Sequence, residues 1–371
     1  MLLILLNMRG FLGYVFRFGD PASSPTYAAR PEWYFYTWKV LLAVLVGLVL
    51  WNSRRVLKRC LAVVIVLWFF VVCCYIHANN FYVLGMCRGI FLASFVYFFI
   101  SSSGRWIKIE HIDRAFEVLA FFAIIALLWQ IYQYVELGIL PAHSHEGQLV
   151  RYGSFYDDSL VFGILMPMFS GYFWGRFKKR LFWELIVAVV ASKIVIMTGG
   201  LTAIAVMFLF SVWWFRDRIL VACLIVALEV FANVGFFLRF RDILLFKQES
   251  IAGHFSSVNQ VPELGLKNLI GVVPMDIFVE VGYLSILYNL GVLVLLVVLM
   301  FHVYVMYVCA VARRYSDCSS SLFRVSAAAE GAAFSLLFVN LNLAPIVYPP
   351  IYLMFAIISG VVTAHASARA A

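Results

Sequence analysis

Residues 281–308 read VGYLSILYNLGVLVLLVVLMFHVYVMYV, a run of 28 residues with no lysine, arginine, aspartate or glutamate. A helix that crosses the hydrocarbon core of a bilayer needs about 20 mostly apolar residues, so this run predicts a membrane-spanning helix. The whole chain shares its character, with 64% hydrophobic and 13% charged residues, whereas soluble domains have about 45–50% and about 25%. This composition excludes a soluble enzyme, a nucleic-acid-binding domain and a disordered protein.

Eleven apolar segments are long enough to be predicted as spanning helices. They lie at roughly 33–51, 60–78, 81–102, 115–138, 158–175, 181–197, 200–215, 219–237, 280–308, 325–342 and 347–365. A further segment, residues 2–16, is short and is interrupted by Asn7 and Arg9, which leaves open whether it spans, re-enters or lies in the interface. The predicted fold class is therefore all-α, a polytopic membrane helix bundle of 11–12 transmembrane helices that forms a single domain over residues 1–371.

Basic residues predict the orientation of this bundle. Seventeen of the 28 lysines and arginines fall in alternate connections on one side, which the positive-inside rule assigns to the cytoplasm. They are Arg54, Arg55, Lys58, Arg59, Arg105, Lys108, Arg114, Arg176, Lys178, Lys179, Arg180, Arg216, Arg218, Arg313, Arg314, Arg324 and Arg369. The opposite side carries two long loops, at about 139–157 and about 238–279.

Positive charge in those two loops runs against the rule. Arg151 lies in the first loop, and Arg239, Arg241 and His254 lie in the second. Either these are ordinary solvated loops, or they form an outward-facing site for an anion. Arg88 belongs to the same question, because it lies about two turns inside a spanning segment. At that depth its guanidinium faces either a phosphate at the outer interface or a buried partner such as Glu229.

Several short motifs resemble those of the O-antigen polymerase (Wzy) and O-antigen ligase (WaaL) superfamily of bacterial envelope proteins. They are Gly153-Ser-Phe-Tyr-Asp-Asp158 at the start of a helix, Ser250-Ile-Ala-Gly-His254, Pro262-x-x-Gly265, Glu280 before Gly282-Tyr-Leu284, Gly291, and the late pair Asn340 and Asn342. The resemblance covers roughly residues 60 to 365. One departure is the turn Met197-Thr-Gly-Gly-Leu-Thr202, which lacks the arginine often found there in the family and leaves Lys193 as the nearby basic residue.

The resemblance implies a GT-C-like enzyme of the bacterial inner membrane, with its active site facing the periplasm. Its substrates would be glycans attached to undecaprenyl diphosphate, which it joins into O-antigen or a related surface polysaccharide. A chain-length regulator and a flippase of the same pathway are the implied partners, besides the bilayer, and nucleic acid is not one. The alternatives are a ligase that transfers the glycan to lipid A core and a non-enzymatic flippase or transporter of lipid-linked oligosaccharide.

The site residues follow from the chemistry that the resemblance implies. Negative charge develops on the diphosphate as it leaves, and fixed guanidiniums stabilise such charge. Neither a metal nor another cofactor is expected, because the outer loops lack an Asp-x-Asp pair and Asp157-Asp158 is a helix-capping type of sequence. The candidates for binding the diphosphate are Arg88, Arg151, Arg239 and Arg241, and the catalytic candidates are Arg241 with Glu280 or His254 as general base.

Overall fold

The computed structural model describes residues 61–103, 106–138, 152, 159–235, 269–271, 275–276, 279, 281–341 and 349–370. Ten long helices lie in these ranges. They are α1 Leu61–His77, α2 Phe81–Ser103, α3 Ile109–Leu137, α4 Ser159–Arg176, α5 Leu181–Met197, α6 Leu201–Trp214, α7 Ile219–Ala232, α8 Gly282–Arg314, α9 Ser321–Val339 and α10 Pro349–Ala370. Each coincides with one predicted spanning segment, while the predicted segments 33–51 and 2–16 lie outside the described residues.

Four of these helical stretches are long and apolar enough to cross a membrane: Tyr82–Ser102, Ile109–Leu137, Gly282–Arg314 and Ser321–Val339. Shorter apolar helices, such as Leu201–Trp214 and Ile219–Ala232, lie beside them. The chain is therefore an all-helical membrane protein over its described part. The largest boundary differences, of about six residues, are at the start of α3 and at the end of α8, which reaches Arg314 rather than 308. Helix α3 begins at Ile109 rather than near residue 115, because Glu110, Asp113 and Arg114 continue the helix as a polar N-terminal segment.

Helix α9 forms the centre of the bundle and is packed most closely against α4. Its segment Ala327–Ala333 is buried throughout. A Cβ atom on Gly331 would overlap the carbonyl oxygen of Pro167, and one on Gly171 would overlap the carbonyl oxygen of Ala327. Small residues let helix backbones approach this closely, and van der Waals packing then drives helix association in lipid.

Successive helices run in opposite directions, so their termini form two ends. The basic end is where α3, α5, α7 and α9 begin. The loop end is the opposite one, from which the long connections 139–158 and 236–281 leave. Buried or half-exposed ion pairs join helices at the basic end: Arg324–Asp113, Arg176–Glu117, Arg218–Glu184 and Arg313–Glu330. Four of the seventeen basic residues that predicted this side therefore pair with carboxylates of other helices.

Helix α8 is broken at Gly291, where the backbone takes φ 81° and ψ 174°. The short segment 269–271 packs against this break, and Gly271 also has a positive φ of 79°. A Cβ atom on Gly291 would lie 2.5 Å from the backbone nitrogen of Gly271. Non-helical backbone is tolerated inside a membrane protein where it is buried in protein, and Gly291 is buried here.

Candidate functional site

The candidate site predicted from the sequence lies at the loop end. Of its members, Arg88 is among the described residues. Arg151, Arg239, Arg241, His254 and Glu280 lie outside them, as do most residues of the two predicted loops. The described part does include the points at which both long connections attach to the bundle. The candidate site in the structure consists of those attachment points, Arg88 and the surfaces between them.

Arg88 projects from α2 into an exposed position. It lies seven residues after Phe81, about 10 Å below the start of the helix at 1.5 Å per residue. Its Nη2 donates a hydrogen bond to the Tyr75 hydroxyl at 3.2 Å, and its Cζ lies 5.7 Å from the centroid of the Tyr75 ring. A guanidinium has five N–H donors, so this contact orients Arg88 and leaves donors for an anionic headgroup.

The alternative partner for Arg88, Glu229, is engaged elsewhere. Glu229 is buried on α7 and accepts a hydrogen bond from the Ser211 hydroxyl of α6 at 2.9 Å. Helix α2 packs on α1 and α10, whereas α7 packs on α5 and α6. The two residues therefore belong to different sides of the bundle, and Arg88 faces the surroundings of the protein rather than a buried carboxylate.

The second long connection is attached at the α1–α2 turn through Asp276. The Asp276 carboxylate accepts hydrogen bonds from the backbone amides of Asn79 at 2.8 Å and Asn80 at 3.0 Å, in the turn between α1 and α2. The backbone amide of Met275 donates to the Tyr288 carbonyl of α8 at 3.3 Å. Asp276 takes a left-handed φ of 52°, which costs free energy in a non-glycine residue and is offset here by the two charge-assisted hydrogen bonds.

The first long connection is attached on another side through Tyr152. Its backbone amide donates to the Met197 carbonyl at the end of α5 at 2.9 Å, and its ring lies 6.4 Å from that of Tyr134 on α3. Burial, reinforced by the neighbouring Tyr134, raises the pKa of the Tyr152 phenol above its ordinary value. The phenol is therefore neutral at physiological pH. Arg151 is the residue that precedes it in the sequence.

Below Tyr152, an apolar groove of about 200 Å³ runs along α4 between α3 and α5. Its walls include Ala120, Ala123 and Leu127 of α3 and Ile194 of α5, and Phe162 and Phe169 of α4 form its floor. Lys193 lies next to Ile194 and is exposed. The groove thus reaches from the middle of the bundle to the loop end, where the first connection attaches.

Asn340, one of the residues that carry the motif resemblance, joins three helix termini at the loop end. Its Nδ2 donates to the Tyr352 hydroxyl of α10 at 2.8 Å, and its backbone carbonyl oxygen accepts from the backbone amide of Tyr283 of α8 at 3.1 Å. The Tyr283 hydroxyl donates to the Leu337 carbonyl at 2.6 Å. Asn340 is therefore part of the bundle's packing beneath the site. Asn342 lies outside the described residues.

The carboxylates that pair helices at the basic end were not identified from the sequence. Glu184 on α5 is one of them, and it is fully buried. Its Oε1 accepts from the Arg218 guanidinium at 2.9 Å and from the backbone amide of Lys179 at 3.1 Å. The signal in the sequence was its position one turn into α5. That position lies at the same end of the bundle as the basic connection between α6 and α7, which contains Arg218.

No model of a known protein family and no curated protein matches this chain. The class that the fold defines is therefore that of a helical membrane protein. The likeness to the O-antigen polymerase and ligase superfamily rests on the motifs and their layout in the sequence.

Proposed function

We propose that this protein is a metal-independent membrane glycosyltransferase with 11–12 spanning helices and a GT-C-like architecture. It polymerises undecaprenyl-diphosphate-linked oligosaccharide repeats into O-antigen or a related surface polysaccharide at the periplasmic face of a bacterial inner membrane. The observation that carries the proposal is the exposed guanidinium of Arg88, about 10 Å from the start of α2, at the same end of the bundle as the attachments of both long basic connections.

Depth and exposure both support an anionic lipid as the ligand of Arg88. An exposed arginine within a spanning helix is costly unless it reaches the interface or an anionic group. Arg88 lies about 10 Å from the helix start, within reach of the phosphate layer when its side chain extends outward. Its planar fork matches phosphate oxygens better than a lysine would. The Tyr75 contact holds the fork in place before the ligand arrives.

The reaction that this proposal implies is a glycosyl transfer. A hydroxyl oxygen of the acceptor sugar attacks the anomeric carbon of the donor, and the bond from that carbon to the diphosphate oxygen breaks. The hydroxyl proton goes to a general base, Glu280 or His254, and the bonding electrons leave with the diphosphate. A histidine with a pKa near 6.5 is suited to this near neutrality, whereas a glutamate would need a raised pKa.

The test is polymerisation by purified protein in lipid nanodiscs, with a synthetic undecaprenyl-diphosphate-linked repeat as substrate. We expect a ladder of longer products. Arg88→Ala should lower the rate of polymerisation by about tenfold or more, because one fixed hydrogen-bond donor to a developing charge contributes at least that much. Arg114→Ala is the matched control, since Arg114 is an exposed arginine at the basic end.

Each other outcome has a distinct meaning. A ladder that Arg88→Ala leaves unchanged would keep the polymerase and remove Arg88 from its site. Transfer to lipid A core without a ladder would establish a ligase instead. Lipid-linked glycan that crosses the bilayer without either product would establish a transporter.

A further inference from the structure

The apolar groove between α3 and α5 is built differently from an ordinary lipid-facing surface. It is a concave channel with a volume of about 200 Å³, and its floor is α4 rather than lipid. Its walls carry no charged side chain, and the hydroxyl of Ser170, the one hydroxyl among them, donates to Met207 Sδ at 3.6 Å. Concave, mostly apolar sites with a few polar groups at one end are the usual form of ligand sites.

The polar end of this groove is its mouth at the loop end. Tyr134 lies seven residues after Leu127, and Met197 lies seven residues after Val190, so each pair shares one helix face. Tyr152 contacts both Tyr134 and Met197. It therefore lies above the loop end of the groove, about two turns above Leu127 on α3 and about one turn above the wall residue Ile194 on α5.

Lys193 supplies a positive charge at the same mouth. It lies between the wall residues Val190 and Ile194 in sequence and is exposed. In the described part of the chain its ammonium makes neither an ion pair nor a hydrogen bond, unlike the paired arginines Arg176, Arg218 and Arg324 at the basic end. An unpaired ammonium beside a hydrophobic channel complements a lipid with an anionic headgroup.

The groove is a single channel with small side chains along part of its walls. Ala120, Ala123 and Ala191 give its walls small side chains, which leave space at intervals for methyl branches. One channel with one cation matches a lipid of one chain and one headgroup, whereas a glycerophospholipid would bring two acyl chains. We propose that this groove binds the isoprenoid chain of a polyprenyl phosphate or diphosphate, with the phosphate against Lys193.

This lipid position is separate from Arg88. Helix α2 packs on α10, α1 and α8, while the groove lies between α3 and α5, and the central helix α9 lies between the two regions. The choice of an isoprenoid lipid rests on the proposed function, in which both the donor and the acceptor glycan are attached to such a lipid. The groove and the Arg88 surface then give the bundle two lipid positions, one for the lipid of the donor and one for the lipid of the acceptor.

Binding can be tested without any sugar transfer. Protein in nanodiscs is irradiated with a polyprenyl phosphate that carries a photoreactive group on its chain, and the labelled peptides are identified by mass spectrometry. We expect label on the wall segments 120–127 and 186–194, removed by unlabelled polyprenyl phosphate but not by polyprenol. Lys193→Gln should reduce labelling about fivefold, the upper range for one exposed ion pair.

Val190→Trp should block the groove from its exposed side and abolish that label. Leu209→Trp is the matched control, because Leu209 is about as exposed on α6, outside the groove. A matching chromatographic profile for the three variants establishes that they are folded.

Three results would overturn the proposal: label spread evenly over lipid-facing helices, equal competition by phosphatidylglycerol, or full labelling of Val190→Trp. Because no sugar is transferred, groove labelling without a ladder would refute the polymerase alone. A ladder without groove labelling would refute this lipid site alone.

Discussion

Asp113 shows how one residue can hold three helices of this bundle together. Its Oδ1 accepts from the Tyr172 hydroxyl of α4 at 2.8 Å and from Arg324 Nε of α9 at 2.9 Å. Its Oδ2 accepts from the Ser321 hydroxyl at 2.9 Å and from Arg324 Nη2. All of these partners lie at the basic end, so a basic residue of that end also joins α9 to α3.

Replacing Asp113 by alanine should destabilise the protein strongly. Arg324, whose side chain is 19% exposed, would then be a mostly buried cation without its carboxylate. Breaking such a pair costs about 3 kcal/mol, which thermal unfolding in detergent would show as a clear fall in Tm. Asp317→Ala, at an exposed position in the α8–α9 turn, is the control and should leave Tm unchanged. Equal Tm values for the two variants would contradict this role of Asp113.

At this scale the sequence predicted the positions of the charges but not their partners. Arg88 was recognisable as a basic residue inside an apolar run, because lipid makes such a residue exceptional. Its contact with Tyr75 depends on how α1 and α2 pack, and no local pattern encodes that. Asp276 was not singled out for the same reason, since its two amide donors lie 196 and 197 residues away.

At the scale of helices, apolar length was sufficient to locate ten of them. The signal is strong because a spanning helix must satisfy all its backbone hydrogen bonds within itself. The break at Gly291 was not predicted, since the run 281–308 is apolar on both sides of it. The close contact of α4 with α9 was also missed, although Gly171-x-x-x-Gly175 and the alanines around Gly331 are the pattern of a tight helix contact.

Gly331→Ala should separate α4 from α9. The added methyl group would overlap the Pro167 carbonyl, and overpacking of this kind costs about 1–3 kcal/mol. Thermal unfolding followed by tryptophan fluorescence should therefore show a lower Tm. Gly235→Ala is the matched control, since a Cβ atom there meets nothing within 4 Å. A Tm for Gly331→Ala that equals that of the control would mean that the two helices can move apart without cost.

At the scale of the whole molecule, the two long connections attach to opposite sides of the loop end. One attachment is Tyr152 between α3 and α5, and the other is Asp276 at the α1–α2 turn. Between them lie α8, α9 and α10, joined at this end by Asn340. The bundle thus provides a fixed set of helix termini between the two attachment points.

Asp276→Ala should release the second connection while leaving the bundle folded. The amides of Asn79 and Asn80 would lose their acceptor, so hydrogen exchange in the α1–α2 turn should accelerate by about tenfold, as expected for the loss of charge-assisted hydrogen bonds. Exchange at the basic end should be unchanged. Asp217→Ala, an exposed aspartate in the α6–α7 turn, is the control. Unchanged exchange at Asn79 and Asn80 would show that the turn is held by other contacts.

The break in α8 also makes the protein sensitive to the thickness of its membrane. All 33 residues of α8 would span about 50 Å if straight, well beyond a hydrocarbon core of about 30 Å. The portion after Gly291, residues 292–314, spans about 34 Å and matches that thickness. The arm 282–290 is thus left near the boundary with water, carrying Tyr283 and its bond to Asn340. Acyl-chain length would then set the height of this arm, so a thicker or thinner bilayer tunes the loop end without any change in sequence.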